Sequence, residues 1–220
     1  MWKGVPITIR TSIYIMKRFL VALAAVSAAS LSSASTIVSG VHFEVLLTPM
    51  SIKSDKVNIQ EFFSYNCGTC AKQSNIVQQV SKRWGDKVHH VEVPMSGLNA
   101  DSTPKIYYAL EKINAPRSAH NELLRLGAAT PESPLTVKEM STILQGKGVN
   151  LTRFNGMYSS VDITKKERAA AALVSRYQIS HESAVVVNGR FLVKGSAEKL
   201  GIILNHLITK EHERKSRKTP

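Results

Sequence analysis

The chain has 220 residues, 43% of them hydrophobic and 20% charged, with 29 Lys plus Arg against 16 Asp plus Glu and a formal charge of +13. That composition excludes wholesale disorder, a collagen repeat and a polytopic membrane protein. The two cysteines are too few for a multi-disulfide scaffold or a four-cysteine zinc site; they leave one disulfide, one redox pair or half a metal site.

Residues 1–34 read as a signal peptide. Met16-Lys17-Arg18 gives a positive start, Phe19 to Leu31 is an apolar run, and Ser32-Ser33-Ala34 offers the small residues of a cleavage site. The run is short for a bilayer span, so an uncleaved anchor is the weaker alternative. Translation is expected to begin at Met16, and the mature chain near Ser35. Cleavage there removes Lys3, Arg10, Lys17 and Arg18 and no acid, which leaves +9. Such a charge can attract acidic partners or anionic lipid. No nucleic-acid recognition motif accompanies it. Much of the excess lies in the tail (Arg214, Lys215, Arg217, Lys218) and in one helix turn (Lys165, Lys166, Arg168), where solvated faces account for it.

Val41 to Leu46 alternates and reads as a first strand, ended by Thr48-Pro49. Lys56 to Tyr65 is β-branched and aromatic, as a buried central strand requires. Cys67-Gly68-Thr69-Cys70 follows at once. Ala71 to Trp84 places Ile76, Val77, Val80 and Trp84 on one helix face, and Val88 to Val93 is a further strand stopped by Pro94. Residues 56–93 therefore spell strand, CxxC, helix, strand: a βαβ unit with the cysteines at its first strand-to-helix junction.

Residues 98–180 show helices and turns but no strand pattern. Predicted helices run over 105–114, 117–126, 137–145 (with a Thr136/Glu139 capping box), 152–159 and 163–178, the last capped by Asp162. Ala184 to Val187 and Arg190 to Val193 flank Asn188-Gly189, a strong hairpin signal. Ser196 is expected to cap a helix through Thr209, and Glu211–Pro220 to be a disordered tail. The pattern is α/β: a βαβ–ββα frame, residues 35–97 and 181–220, interrupted by an all-helical segment, 98–180.

A CxxC at the start of a helix carries a specific chemistry. Cys67 faces unpaired backbone N–H groups and the positive end of the helix dipole, which stabilise a thiolate. Cys70, one turn on and more buried, can attack or release a mixed disulfide formed at Cys67. Gly68 and Thr69 between them add neither charge nor imidazole. A structural disulfide over four residues would constrain the unfolded chain little. A metal site would need further ligands, for which His89 and His90 are the candidates.

Glu61-Phe62-Phe63-Ser64-Tyr65-Asn66-Cys67-Gly68-Thr69-Cys70 closely resembles the active-site strand and motif of the DsbA-type periplasmic thiol-disulfide oxidoreductases. The Val187-Asn188-Gly189 hairpin, the length of the helical insert and the export signal agree. The resemblance implies a thioredoxin fold interrupted by a helical domain. It implies Cys67 as an exposed nucleophile, Cys70 as the resolving thiol, and Glu61 as a buried acid that exchanges a proton with the inner thiol; without it, a strand-end carboxylate facing solvent is the weaker alternative for Glu61. It also implies no cofactor beyond the Cys67–Cys70 pair, cysteine-containing unfolded secreted proteins as substrates, re-oxidation by a membrane oxidase of the DsbB kind, and a monomer that binds no nucleic acid.

Two departures stand out. The dipeptide is Gly68-Thr69, where the best-known members have Pro-His, so a milder oxidant, or a reductase or isomerase, is an alternative. The family's cis-proline position falls in His181-Glu182-Ser183-Ala184, where Ser183 stands instead. A cis bond before serine costs roughly 3–4 kcal/mol, so a trans peptide is expected. The Ser183 hydroxyl is then a candidate partner for a cysteine sulfur, or an ordinary loop group. A chain that has lost the proline also admits a different class of function: a redox-inactive peptide-binding chaperone, or a metal-binding thioredoxin-like protein.

Overall fold

Val57–Phe63 (β2) is buried along its whole length, polar residues included, because it has a strand on either side and helices on both faces. The computed structural model describes residues 36–96, 101–130, 133, 135–196 and 198–217. The chain divides into two units, 1–36 and 37–220, and the sheet and its helices belong to the second. The expected signal peptide, 1–34, lies outside the described residues.

The helix α1 (Cys70–Trp84) follows β2 and is closed at Gly85. A 3-10 turn, Gly85–Lys87, leads into β3 (Val88–Pro94), which pairs parallel to β2 with Glu61 opposite Glu92. This is the βαβ unit expected from the pattern. Five helices come next: α2 (Thr103–Lys112), α3 (Arg117–Ala129), α4 (Val137–Gly146), α5 (Leu151–Tyr158) and α6 (Val161–Arg176). Then β4 (Ala184–Val187) and β5 (Phe191–Lys194) form the hairpin, with Asn188 and Gly189 both in the left-handed region at φ 52° and 64°. Together with the two-residue β1 (Glu44–Val45) they make a mixed sheet of order β1-β5-β4-β2-β3. The chain closes on α7 (Leu200–Ser216).

Most boundaries shift by one to three residues from the sequence reading, and four differences matter for the fold. Only Glu44 and Val45 of the expected 41–46 strand pair with β5; before them the chain turns back, with His42 N–H donating to Val38 O. The Thr136/Glu139 capping box is present, but α6 begins earlier than expected: Ser160 caps it by accepting from Ile163 N–H, and Asp162 lies in its first turn. α7 starts at Leu200 with Lys199, not Ser196, as its N-cap. It also runs on to Ser216, through most of the stretch expected to be disordered. The cause is Glu211, a fully buried carboxylate. It accepts from Asn188 Nδ2 at 2.6 Å, Arg190 Nη1 at 2.8 Å and Arg214 Nη2 at 2.8 Å, so the hairpin and the helix hold each other.

Three apolar clusters fill the molecule. Val57 and Ile59 of β2 pack with Val77 and Val80 of α1 and Leu200, Ile203 and Leu204 of α7. On the opposite face Phe62 packs with Tyr177, Ala170 and Val186. The third cluster joins Phe63, Tyr65, Cys67 and Cys70 to Ile106, Leu123, Met140 and Leu144 of the helical segment. No helix among the described residues is long and apolar enough to cross a membrane.

Candidate active site

The site begins where β2 ends. Alternation along a strand puts Val57, Ile59, Glu61 and Phe63 on one face, the face that α1 covers. The chain leaves β2 through Ser64-Tyr65-Asn66 and reaches Cys67. Thr69 N-caps α1 without a side-chain bond, and Cys70 is its first residue. Cys67 and Cys70 are joined by a disulfide, with Cα atoms 5.4 Å apart.

The segment before the cysteines is held by the helical segment. Tyr65 N–H donates to Thr103 Oγ1 at 2.9 Å, and Ser64 Oγ and Asn66 Nδ2 donate to Asp101 Oδ2 at 2.6 and 3.1 Å. Asn66 Oδ1 accepts from Leu135 N–H at 3.2 Å. Gly127 of α3 lies so close that a Cβ there would come within 1.5 Å of Tyr65 O. Such an approach leaves room for glycine alone.

Cys67 is 1% exposed and Cys70 0%. The exposed nucleophile implied by the resemblance is therefore corrected: Cys67 is buried in the cluster that the helical segment builds over the disulfide, and the exposed part of the motif is Gly68-Thr69. Disulfide exchange needs an incoming sulfur in line with the S–S bond, so that cover must part for a reaction.

The two sulfurs have different polar neighbours. Cys70 Sγ lies 3.3 Å from Glu182 O, and Cys67 Sγ lies 3.7 Å from Thr69 Oγ1. Thr69 Oγ1 in turn is 2.9 Å from Ser183 Oγ. Every described peptide bond is trans, the one into Ser183 included. So Ser183, expected either on a cysteine sulfur or in an ordinary loop role, meets the hydroxyl of the dipeptide between the cysteines.

Glu61 is 1% exposed, a buried acid rather than a solvent-facing strand end. One oxygen pairs with His90 Nε2 at 2.8 Å and the other accepts from Gln73 Nε2 at 3.4 Å. Gln73 was not singled out from the sequence. It lies three residues past Cys70, on the same helix face, and its amide also donates to Phe62 O at 2.9 Å. Nothing in the sequence marks it among the polar residues of α1; its complete burial shows only in the fold.

A second acid, Glu92, stands on β3 two residues from His90. It was also missed. Arg117 donates to both of its oxygens, Tyr107 Oη donates at 3.0 Å, and His120 Nε2 approaches to 3.8 Å. Burial pushes the Glu92 carboxyl up, but the Arg117 hydrogen bonds, the electrostatics of His120 and Arg117 and the Tyr107 hydrogen bond together outweigh it and hold it below its ordinary value. Burial lowers His120 to about 4, so at neutral pH its approach to Glu92 is not an ion pair. His120 Nδ1 bonds Tyr65 Oη at 2.9 Å, and its Nε2 has no hydrogen-bond partner among the described residues. Glu61, His90 and Glu92 bring one donor atom each within 4.8 Å of one another. His90 and Arg117 already engage those carboxylates, and the cysteine sulfurs engage each other. His89, the other histidine considered as a ligand, faces Asn58.

No family model matches the chain. It is 26% identical over 179 residues to the thiol:disulfide interchange protein DsbA of Pseudomonas aeruginosa, covering 79% of this chain and 85% of that one. It is 24% identical over 181 residues to the DsbA of Burkholderia cepacia, covering 80% and 85%. The crystal structure of Pseudomonas aeruginosa DsbA superposes with a TM-score of 0.69 at 24% identity, over 83% of this chain and 98% of that one. The chain is a thiol-disulfide oxidoreductase similar in sequence to these DsbA proteins. Its fold is the thioredoxin fold interrupted by a helical insertion, and here the interruption falls between β3 and β4.

Proposed function

We propose that the chain introduces disulfides into cysteine-containing polypeptides that have left the cytoplasm. The disulfide between Cys67 and Cys70, at the mouth of α1, carries the reading. A substrate thiolate attacks Cys67 Sγ and the Cys67–Cys70 bond breaks. Cys70 leaves with the electron pair and takes a proton. The substrate's second thiolate then attacks the substrate sulfur of the mixed disulfide. Cys67 departs as a thiolate, and the product leaves oxidised by two electrons. The helix N-terminus stabilises that leaving thiolate.

In this reading Cys67 is the nucleophile, Cys70 the resolving thiol and Glu61 the acid that manages the proton of the inner thiol, with His90 linking Glu61 to solvent. Gly68, Thr69, Glu182 and Ser183 form the rim facing the disulfide. The enzyme needs no organic cofactor, works as a monomer and is re-oxidised by a membrane oxidase of the DsbB kind. Residues 1–34 direct export to the periplasm; residues 35–97 with 181–220 form the thioredoxin-like part, and 98–180 the insert.

Peptide oxidation and insulin reduction, run in parallel, test this. Wild type oxidises a dithiol peptide, and Cys67→Ser does neither reaction. Glu61→Gln slows turnover by up to about a hundredfold, the low end of what positioned proton transfer contributes. Normal turnover by Cys67→Ser overturns the reading. A redox equilibrium with glutathione near the thioredoxin value of about −270 mV turns it toward a reductase.

A further inference from the structure

We infer that Ser183 and Thr69 form a hydroxyl relay that stabilises the Cys67 thiolate and so sets how strongly the pair oxidises. The inference rests on Cys67 being the nucleophile. It starts from the difference between the two sulfurs. Cys70 Sγ faces a carbonyl, Glu182 O, at 3.3 Å. A carbonyl can only accept, so on reduction it favours a protonated Cys70. Cys67 Sγ faces a hydroxyl, Thr69 Oγ1, at 3.7 Å, which can donate and so favours a thiolate.

A threonine hydroxyl carries one proton. Donated to Cys67, it leaves the oxygen free to accept, and Ser183 Oγ stands 2.9 Å away to donate. The ordered chain is Ser183 O–H to Thr69 Oγ1, then Thr69 O–H to the Cys67 thiolate. Each bond polarises the next. Ser183 is 5% exposed and held in place. Its carbonyl accepts from Gly195 N–H at 3.0 Å, and a Cβ on Gly195 would come within 2.6 Å of its Oγ. Thr69, by contrast, is exposed and has no side-chain cap bond. The buried serine therefore positions the exposed threonine. A proline at 183 would have no hydroxyl to offer. The relay thus orients and polarises the one side-chain donor that the uncharged Gly68-Thr69 dipeptide has, the Thr69 hydroxyl, toward Cys67.

The test titrates Cys67, by its thiolate absorbance and by iodoacetamide rate, in wild type, Thr69→Val, Ser183→Ala, the double variant and Thr69→Ser. Thr69→Val raises the Cys67 pKa by about one to two units, from the usual strength of a hydrogen bond to a charged group. The glutathione equilibrium moves about tenfold or more toward the protein disulfide. Ser183→Ala gives a smaller rise in the same direction, none in the Thr69→Val background, and Thr69→Ser restores wild type. The relay is overturned if Ser183→Ala shifts the pKa equally with and without Thr69, or if neither variant shifts it while dithiol exchange persists. Loss of the nucleophile reading looks different: wild type itself shows no exchange that depends on Cys67.

Discussion

The disulfide has two surroundings, and they are built differently. On the rim, Thr69, Ser183 and Glu182 O meet the sulfurs with neutral hydroxyls and a carbonyl. Behind the motif, where β2 and β3 meet the insert, Glu61 meets His90, and Glu92 with Arg117 places charge in a partly buried region. A charge against a buried sulfur would fix one redox state at a high desolvation cost. A hydroxyl can turn to suit either state. The groups behind the motif instead tie strands to helices: Glu92 joins β3 to α2 and α3, and the neutral His120 reaches Tyr65 just before the cysteines. The rim should therefore tune how strongly the pair oxidises with little effect on stability, and the group around Glu92, Arg117 and His120 should govern stability with little effect on that oxidising strength.

The sharpest challenge to that division is Gly127→Ala. Its methyl would meet Tyr65 O, backbone against helix, and the loss should reach about 3 kcal/mol or more, the upper end for overpacking. Urea unfolding measures it; a change within 0.5 kcal/mol would show that the insert does not clamp the motif.

Acid should act next. His120 falls to about 4 in the folded protein from about 6.5 unfolded, so protonation favours the unfolded chain. Stability is intact above pH 6.5 and is lost as pH falls toward 4, by about 3 kcal/mol from this group. Glu92, held low, withdraws its own contribution only in the carboxylate range below. Unfolding free energy measured across pH 7 to 4 should slope in wild type and flatten in His120→Gln. Equal slopes would remove His120 as the cause.

Arg117→Met should cost about 1–2 kcal/mol at pH 7. That is less than a fully buried pair, because Arg117 is 47% exposed and screened by solvent while Tyr107 remains on Glu92. The loss should fade as Glu92 is protonated. A deficit unchanged at low pH would point to lost packing instead. The smallest stability effect belongs to the rim: Thr69→Val should change unfolding free energy by no more than about 0.5 kcal/mol. A larger loss would mean that the rim is structural too.

Much of the fold and part of the site were legible in the sequence, and the reasons are local. Strand, CxxC, helix, strand over 56–93 rests on period and on one abrupt composition change, as does the Asn188-Gly189 hairpin. Glu61 could be suspected because an acid inside an apolar run is anomalous. What could not be read were meetings across the chain. Nothing near Glu92 announces Arg117, 25 positions on. Nothing in the basic tail says that Glu211 will be buried against the hairpin and carry α7 to Ser216. Gln73 looks like any polar helix residue until β2 is laid beneath it.

Taken alone, the order of residues determined the βαβ frame and the position of the cysteines at a helix start, since each depends on neighbours a few positions apart. Only the folded chain decided that Cys67 would be covered and that Ser183 would face Thr69, 114 positions away. Contacts at that separation depend on how the insert and the sheet pack, and no local preference encodes them.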